Sequence, residues 1–142
     1  MRASIAVLLV VLGAGSPAGA EPEGLAEGVT VDWSAGMMEA VGSCAADLRA
    51  PSVEIARIKA ERVARQRAQE RLRAALRALP RGRWAGPPPA TEALEQALGQ
   101  AEVTKVHYGS NGSVSVRLRL AIAALPVRLL SPSRRRTQEG GR

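Results

Sequence analysis

The stretch Val53–Leu79, VEIARIKAERVARQRAQERLRAALRAL, decides the fold. It holds neither Gly nor Pro and consists mainly of Ala, Arg, Glu, Gln and Leu, all good helix formers. It therefore predicts one helix of about 40 Å at 1.5 Å per residue. Ser52 is placed to accept a backbone N–H bond at its start, and Glu54 suits the positive end of the first turn. Ala56, Ala60, Ala64, Ala68, Leu72 and Leu76 recur every four residues, with Ala75 and Leu79 beside the last of them. A ridge of small residues lets a helix lie close to a sheet, and the leucines supply volume at the far end. Ile55 and Val63 fall off that ridge and are either the flank of a broad buried face or a second contact surface. Pro80 ends the helix, because it disfavours helical geometry at Leu79.

Strand signals flank this helix. Val29-Thr30-Val31-Asp32-Trp33 alternates with period two and is rich in β-branched residues. Ser34-Ala35-Gly36 signals a turn, and Met37–Gly42 supplies a second strand. Val114, Val116, Leu118, Leu120 and Ile122 alternate with Ser115, Arg117, Arg119 and Ala121, the pattern of a half-buried strand. Its partner is Val103–Tyr108. A two-residue Asn111-Gly112 turn would set Val116 against His107 and Leu118 against Lys105, bringing charge onto the apolar face. A three-residue loop, Ser110-Asn111-Gly112, instead pairs Val106 with Val116 and Tyr108 with Val114. Register follows the buried face, which selects the longer loop with Gly112 left-handed.

These elements define an α+β fold: a small antiparallel sheet, made of two N-terminal strands and a C-terminal hairpin, packed on one long helix. The domain runs over 29–130. Within it, residues 80–90 (Arg81–Pro89 with Pro87-Pro88-Pro89) form a stiff extended connector. Thr91 is read as the cap of a short helix through Leu98, stopped by Gly99, and Val127–Leu130 as an added edge strand. Residues 21–28, acidic with Gly and Pro, read as a flexible lead-in, and residues 131–142 as a disordered basic tail.

Length and composition narrow the function. The chain has 142 residues with 46% hydrophobic, 23% charged and 2% aromatic residues, a net charge of +7, one Cys and one His. One modest core fits that length. A single Cys excludes an internal disulfide and every cysteine-rich metal framework. Met1-Arg2, the apolar run Ile5–Leu12 and the small residues Ala18-Gly19-Ala20 match a secretory signal over residues 1–20, with cleavage between Ala20 and Glu21. The run is too short to span a bilayer, which takes about 20 apolar residues. The mature chain is therefore expected outside the cytoplasm, in the periplasm or at the outer membrane, with no transmembrane span. Val41-Gly42-Ser43-Cys44 superficially resembles a lipidation motif but stands some thirty residues from the apolar run. Cys44 reads as a small half-buried residue at a strand end, with a subunit-bridging thiol as the alternative.

The inventory argues against an enzyme. His107 is the single imidazole and sits on a strand with no acid motif beside it. The pairs Glu92/Glu95 and Glu54/Glu61 read as helix-surface carboxylates facing arginines. No phosphate-binding loop, dinucleotide fingerprint or HExxH motif occurs, and no cofactor or metal is implied. Basic charge is the remaining feature: eight basic residues against three glutamates between Val53 and Leu79. Arg62, Arg65 and Arg73 on the helix, with Arg134, Arg135 and Arg136 in the tail, form a candidate anion or assembly surface. The alternative is an ordinary solvated helix face. Nucleic acid is an unsuitable partner for an exported chain whose aromatics are Trp33, Trp84 and Tyr108, too few for base stacking.

The segment Val31–Gly42, with Trp33, Gly36, Ala40 and Gly42, followed by the Ala56–Leu72 alanine repeat, resembles a family of small bacterial envelope proteins. These are related to the twenty-kilodalton outer-membrane lipoprotein and the flagellar-assembly lipoprotein P. The resemblance covers Val29–Leu79, more weakly to Leu125. It implies an α+β domain without catalysis, an outer-membrane or periplasmic home and, in the flagellar members, assembly into rings; the partner expected for this chain is itself or another envelope protein. The chain departs from that pattern in having no lipidated Cys after its signal. The sequence thus points to an exported structural or assembly protein. Its rival is an anion-binding module that docks on lipid phosphate or cell-wall polymer.

Overall fold

Alternating apolar strands can bury one face only if something apolar covers it, and here the long helix does so. The computed structural model describes residues 22–132. Five strands, β1 (Glu23–Ala26), β2 (Val29–Asp32), β3 (Met37–Cys44), β4 (Glu102–Tyr108) and β5 (Val114–Ala121), form one sheet in the order β1-β2-β3-β5-β4. Every pairing is antiparallel. Helix α1 (Val53–Arg77) crosses the middle strands β3 and β5, and the short α2 (Thr91–Leu98) packs beside it. The fold is α+β.

The alanine ridge of α1 works as its spacing predicts. Ala56, Ala60, Ala64, Ala68, Leu72, Ala75 and Leu76 are all buried. From Ala60 onward they meet Met38 and Ala40 of β3 and Val114, Val116, Leu118 and Leu120 of β5 in one core with Val29 and Val31. The closest approach is at Gly42. A Cβ built there would run into the Ala64 carbonyl oxygen and the Ala68 nitrogen, and would lie 3.1 Å from Ala68 Cα. Only glycine lets the helix backbone sit so low on β3. Ser52 caps α1 by accepting a hydrogen bond from the Ile55 N–H at 3.2 Å. The helix ends at Arg77, two residues before the Leu79 that the sequence pattern reaches.

The hairpin register matches the sequence expectation. Val106 faces Val116 and Tyr108 faces Val114, with Gly112 at φ +80° in the connecting loop. Gly109 donates to the Ser113 carbonyl at 2.7 Å and closes the three-residue loop. A bulge between Val103 and Lys105 keeps Val103 on the Leu118 side of the sheet. The alternation in β5 stops one residue early, because Ile122–Ala124 turn into a 3₁₀ segment.

Four expectations are corrected. The lead-in over 21–28 contains β1, so the N-terminal unit has three strands where the sequence pattern suggests two. Its short, Gly-containing sequence carries little strand propensity, and it is held by contacts from elsewhere in the chain. Thr91 is the first helical residue of α2, and Ala90 takes the cap position with no side-chain bond. The connector includes a 3₁₀ turn at Arg81–Arg83, after which buried Trp84 bridges Leu129. For the same reason Val127–Leu130 adds no edge to the main sheet. Ala85 donates to Arg128 and Leu130 donates to Arg83, each at 2.8 Å, so this segment zips onto the connector.

Candidate functional site

The charged side chains fall into two populations, those that fasten elements together and those that face solvent alone. The tightest fastening is around Arg83. Its Nη1 and Nη2 donate to the two Glu23 carboxylate oxygens at 2.9 and 3.0 Å, and its Nε donates to the Leu130 carbonyl at 3.3 Å. Trp33 Nε1 donates to the same Glu23 at 2.9 Å, and the guanidinium lies 5.7 Å from the Trp33 ring centroid. The Arg83 bonds, and after them the Trp33 bond, hold the Glu23 carboxyl below the usual carboxylate range, with burial opposing them. This bidentate, half-buried pair is the geometry in which a guanidinium binds a carboxylate best.

A second fastening joins the helices. Arg73 of α1 donates through Nε and, at 2.8 Å, through Nη2 to Glu95 of α2, and Arg77 stands 3.6 Å from the same carboxylate. The Arg73 bond lowers the Glu95 pKa and raises that of Arg73. Further along α1, Arg67 and Arg71 donate to the β3 carbonyls of Ser43 and Val41 at 2.7 and 2.8 Å. On the uncovered sheet face Arg119 donates to Glu39 at 3.0 Å. Tyr108 donates to Glu61 at 3.0 Å, which pushes the phenol pKa up, and Arg57 lies 5.7 Å from its ring centroid.

Each perturbed carboxylate therefore has a structural partner. Asp32 is the one with no ion pair: it accepts from the Ser34 hydroxyl at 2.6 Å and the Ala35 N–H, and so caps the β2–β3 turn. The Ser34 bond is the main cause of its lowered pKa. His107 is exposed on β4, and Cys44 is half-buried at the end of β3. Among the described residues no group of three metal-ligating side chains gathers, and no helix is long and apolar enough to cross a membrane.

The concave features are shallow. A cavity of about 260 Å³ lies between the 46–53 loop, the first turn of α1 and the hairpin tip, lined by Leu48, Val53, Ala56, Arg57 and Gly112 among others. It is open and apolar, and Leu48 and Val53 at its rim are 93% and 68% exposed. A second, of about 250 Å³, lies on the uncovered sheet face between Thr30, Asp32, Met37, Glu39 and Arg119.

The candidate basic residues separate on this ground. Arg73 is bound to Glu95 and belongs to the fastenings. Arg62 and Arg65 are exposed on the outer side of α1. Arg134, Arg135 and Arg136 lie outside the described residues, as do Ala20 and Glu21 with the signal segment 1–20. Of the two off-ridge residues, Val63 is half-buried as a flank of the core face and Ile55 is exposed. Ile58, 60% exposed, is a functional candidate that the ridge analysis passes over. The signal for it was an isoleucine directly opposite Ala60 and Ala56 on the helix. Comparison with protein-family models, curated proteins and solved structures finds no match to this chain.

Proposed function

We propose that this is an exported, non-catalytic structural or assembly protein of the periplasm or cell envelope, which associates with itself or with other envelope proteins. The supporting observation is where the titratable groups are used. The Glu23–Arg83, Arg73–Glu95, Arg119–Glu39 and Tyr108–Glu61 contacts all join separate elements, which fits a scaffold better than a reaction centre. The surfaces left over are the ones that assembly uses. One face of the sheet is uncovered, and β4 is an edge strand of seven residues with Val103 and Tyr108 39% and 48% exposed. An edge strand presents backbone groups that pair with another chain. The resemblance in Trp33, Gly36, Ala40, Gly42 and the alanine repeat supports the envelope setting and a place among outer-membrane or flagellar structures.

Sedimentation velocity at high micromolar concentration tests this. The expected result is concentration-dependent oligomers, returned toward monomer by Val103→Lys, which sets a lysine on the Leu118 side of the β4 edge. A clean monomer throughout overturns the self-association. Cell fractionation with N-terminal sequencing tests export: a mature start at Glu21 supports it, and an intact chain in the cytoplasm overturns it.

A further inference from the structure

A helix packed on a core by an alanine ridge leaves its opposite side to solvent, and on α1 that side has an unusual composition. At about 100° per residue, Ile55, Ile58, Lys59, Arg62 and Arg65 share roughly one third of the helix circumference. The other residues of that arc ahead of Arg73 are Gln66 and Gln69. No carboxylate falls within it. The nearest acids, Glu54, Glu61 and Glu70, lie along its borders, and Glu61 is engaged by Tyr108. Further along α1, Arg67, Arg71, Arg73 and Arg77 have carbonyl or carboxylate partners, as does Arg83 in the connector, whereas Lys59, Arg62 and Arg65 make no hydrogen bond or ion pair with any described residue. Within the same arc Ile55 and Ile58 are 39% and 60% exposed, and exposed Leu48 and Val53 stand at the same end of the helix.

We propose that this arc is a docking surface for an anionic lipid bilayer. Lys59, Arg62 and Arg65 contact lipid phosphates while Ile55 and Ile58 enter the headgroup–acyl boundary. Apolar side chains bordered by cations on one face are the composition of an interfacial helix. The isoleucines select the bilayer over a soluble polyanion. A cell-wall polymer or nucleic acid offers phosphate but no apolar phase, and two exposed branched side chains gain nothing from it. The proposal does not depend on self-association, because β4 and the arc are different surfaces.

The test is co-sedimentation of the full chain with vesicles of phosphatidylcholine alone and of phosphatidylcholine with phosphatidylglycerol, with soluble polyphosphate as a third ligand. Any contribution from residues outside the arc is common to the wild type and the arc variants. Binding is expected on the phosphatidylglycerol vesicles and is expected to weaken as salt rises. Each cation near an anionic surface is worth about fivefold, so Arg62→Gln with Arg65→Gln lowers partitioning by more than about tenfold. Arg81→Gln with Arg128→Gln removes the same charge from exposed positions off the arc and leaves most of the binding. Ile55→Ser with Ile58→Ser weakens vesicle binding without changing polyphosphate binding. Equal losses from the two arginine pairs, wild-type binding by the isoleucine pair, or no preference for phosphatidylglycerol each overturn the proposal. All six sites are solvent-facing, and an unchanged circular dichroism spectrum confirms that the variants are folded.

Discussion

Gly42 of β3 lies directly under Ala68 of α1, with 3.1 Å between the Cβ that Gly42 lacks and the Ala68 Cα. The helix backbone rests on the strand backbone with no side chain between. Gly42→Ala therefore forces α1 off the sheet. Overpacking of a core costs about 1–3 kcal/mol or more, and the upper end applies because the clashing atoms are backbone. Urea unfolding should show a midpoint lowered accordingly, and an unchanged midpoint would mean that the helix sits higher than described.

The two sides of α1 should respond oppositely. Leu72 is fully buried, so Leu72→Ala should destabilise by about 2–5 kcal/mol. Ile58 is mostly exposed, and Ile58→Ser should stay within about 0.5 kcal/mol of wild type. Thermal unfolding of the two variants side by side checks the orientation of the helix.

Acid sensitivity should trace to Glu23. Its pKa is depressed in the folded state, so the stability it confers is present above the ordinary carboxylate range. That stability is lost as pH falls through the folded-state value. Glu23→Gln should lower stability at neutral pH by about 1–3 kcal/mol, since it leaves a half-buried guanidinium without its charge partner. It should also flatten the loss below the carboxylate range. Unfolding free energy measured against pH for both proteins gives the comparison. Amide exchange should show β1 opening first in the variant.

Loop geometry should be tested at Gly112. Its φ of +80° is a left-handed conformation that costs an L-residue about 1–2 kcal/mol, and a Cβ there would meet Ala46 Cβ at 2.9 Å. Gly112→Val should be the most damaging substitution and Gly112→Asn milder, since Asn enters that region more readily. Equal midpoints for the two would contradict the loop conformation.

The parts of the fold legible in the sequence are those whose signal is local and periodic. The four-residue alanine spacing identifies the buried face of α1, and the alternation of Val114 through Leu120 fixes the hairpin register once charge is kept off the apolar face. β1 was not legible because Glu23-Gly24-Leu25-Ala26 has almost no strand character of its own. Its order comes from Arg83, 60 residues away. The candidate basic surface shows the same division. Arg62 and Arg65 are exposed, as an anion surface or a solvated face requires, while Arg73 is equivalent to them in the sequence pattern and is separated from them only by its contact with Glu95, 22 positions on. The C-terminal Val127–Leu130 has apolar residues suited to a strand, but its partner is the connector, which its own pattern does not encode.

The Arg83 junction also fixes the polarity of the molecule. It brings Glu23 and Leu130 together at one pole of the sheet, beside Trp33. Gly112, Cys44 and the start of α1 occupy the other, an eight-residue strand or about 25 Å away. The first and last residues held by this junction, Glu23 and Leu130, therefore lie at the pole away from Ile55 and Ile58. A circular permutant that links Glu23 to Leu130 and is cut anew at the hairpin tip keeps every strand pairing intact.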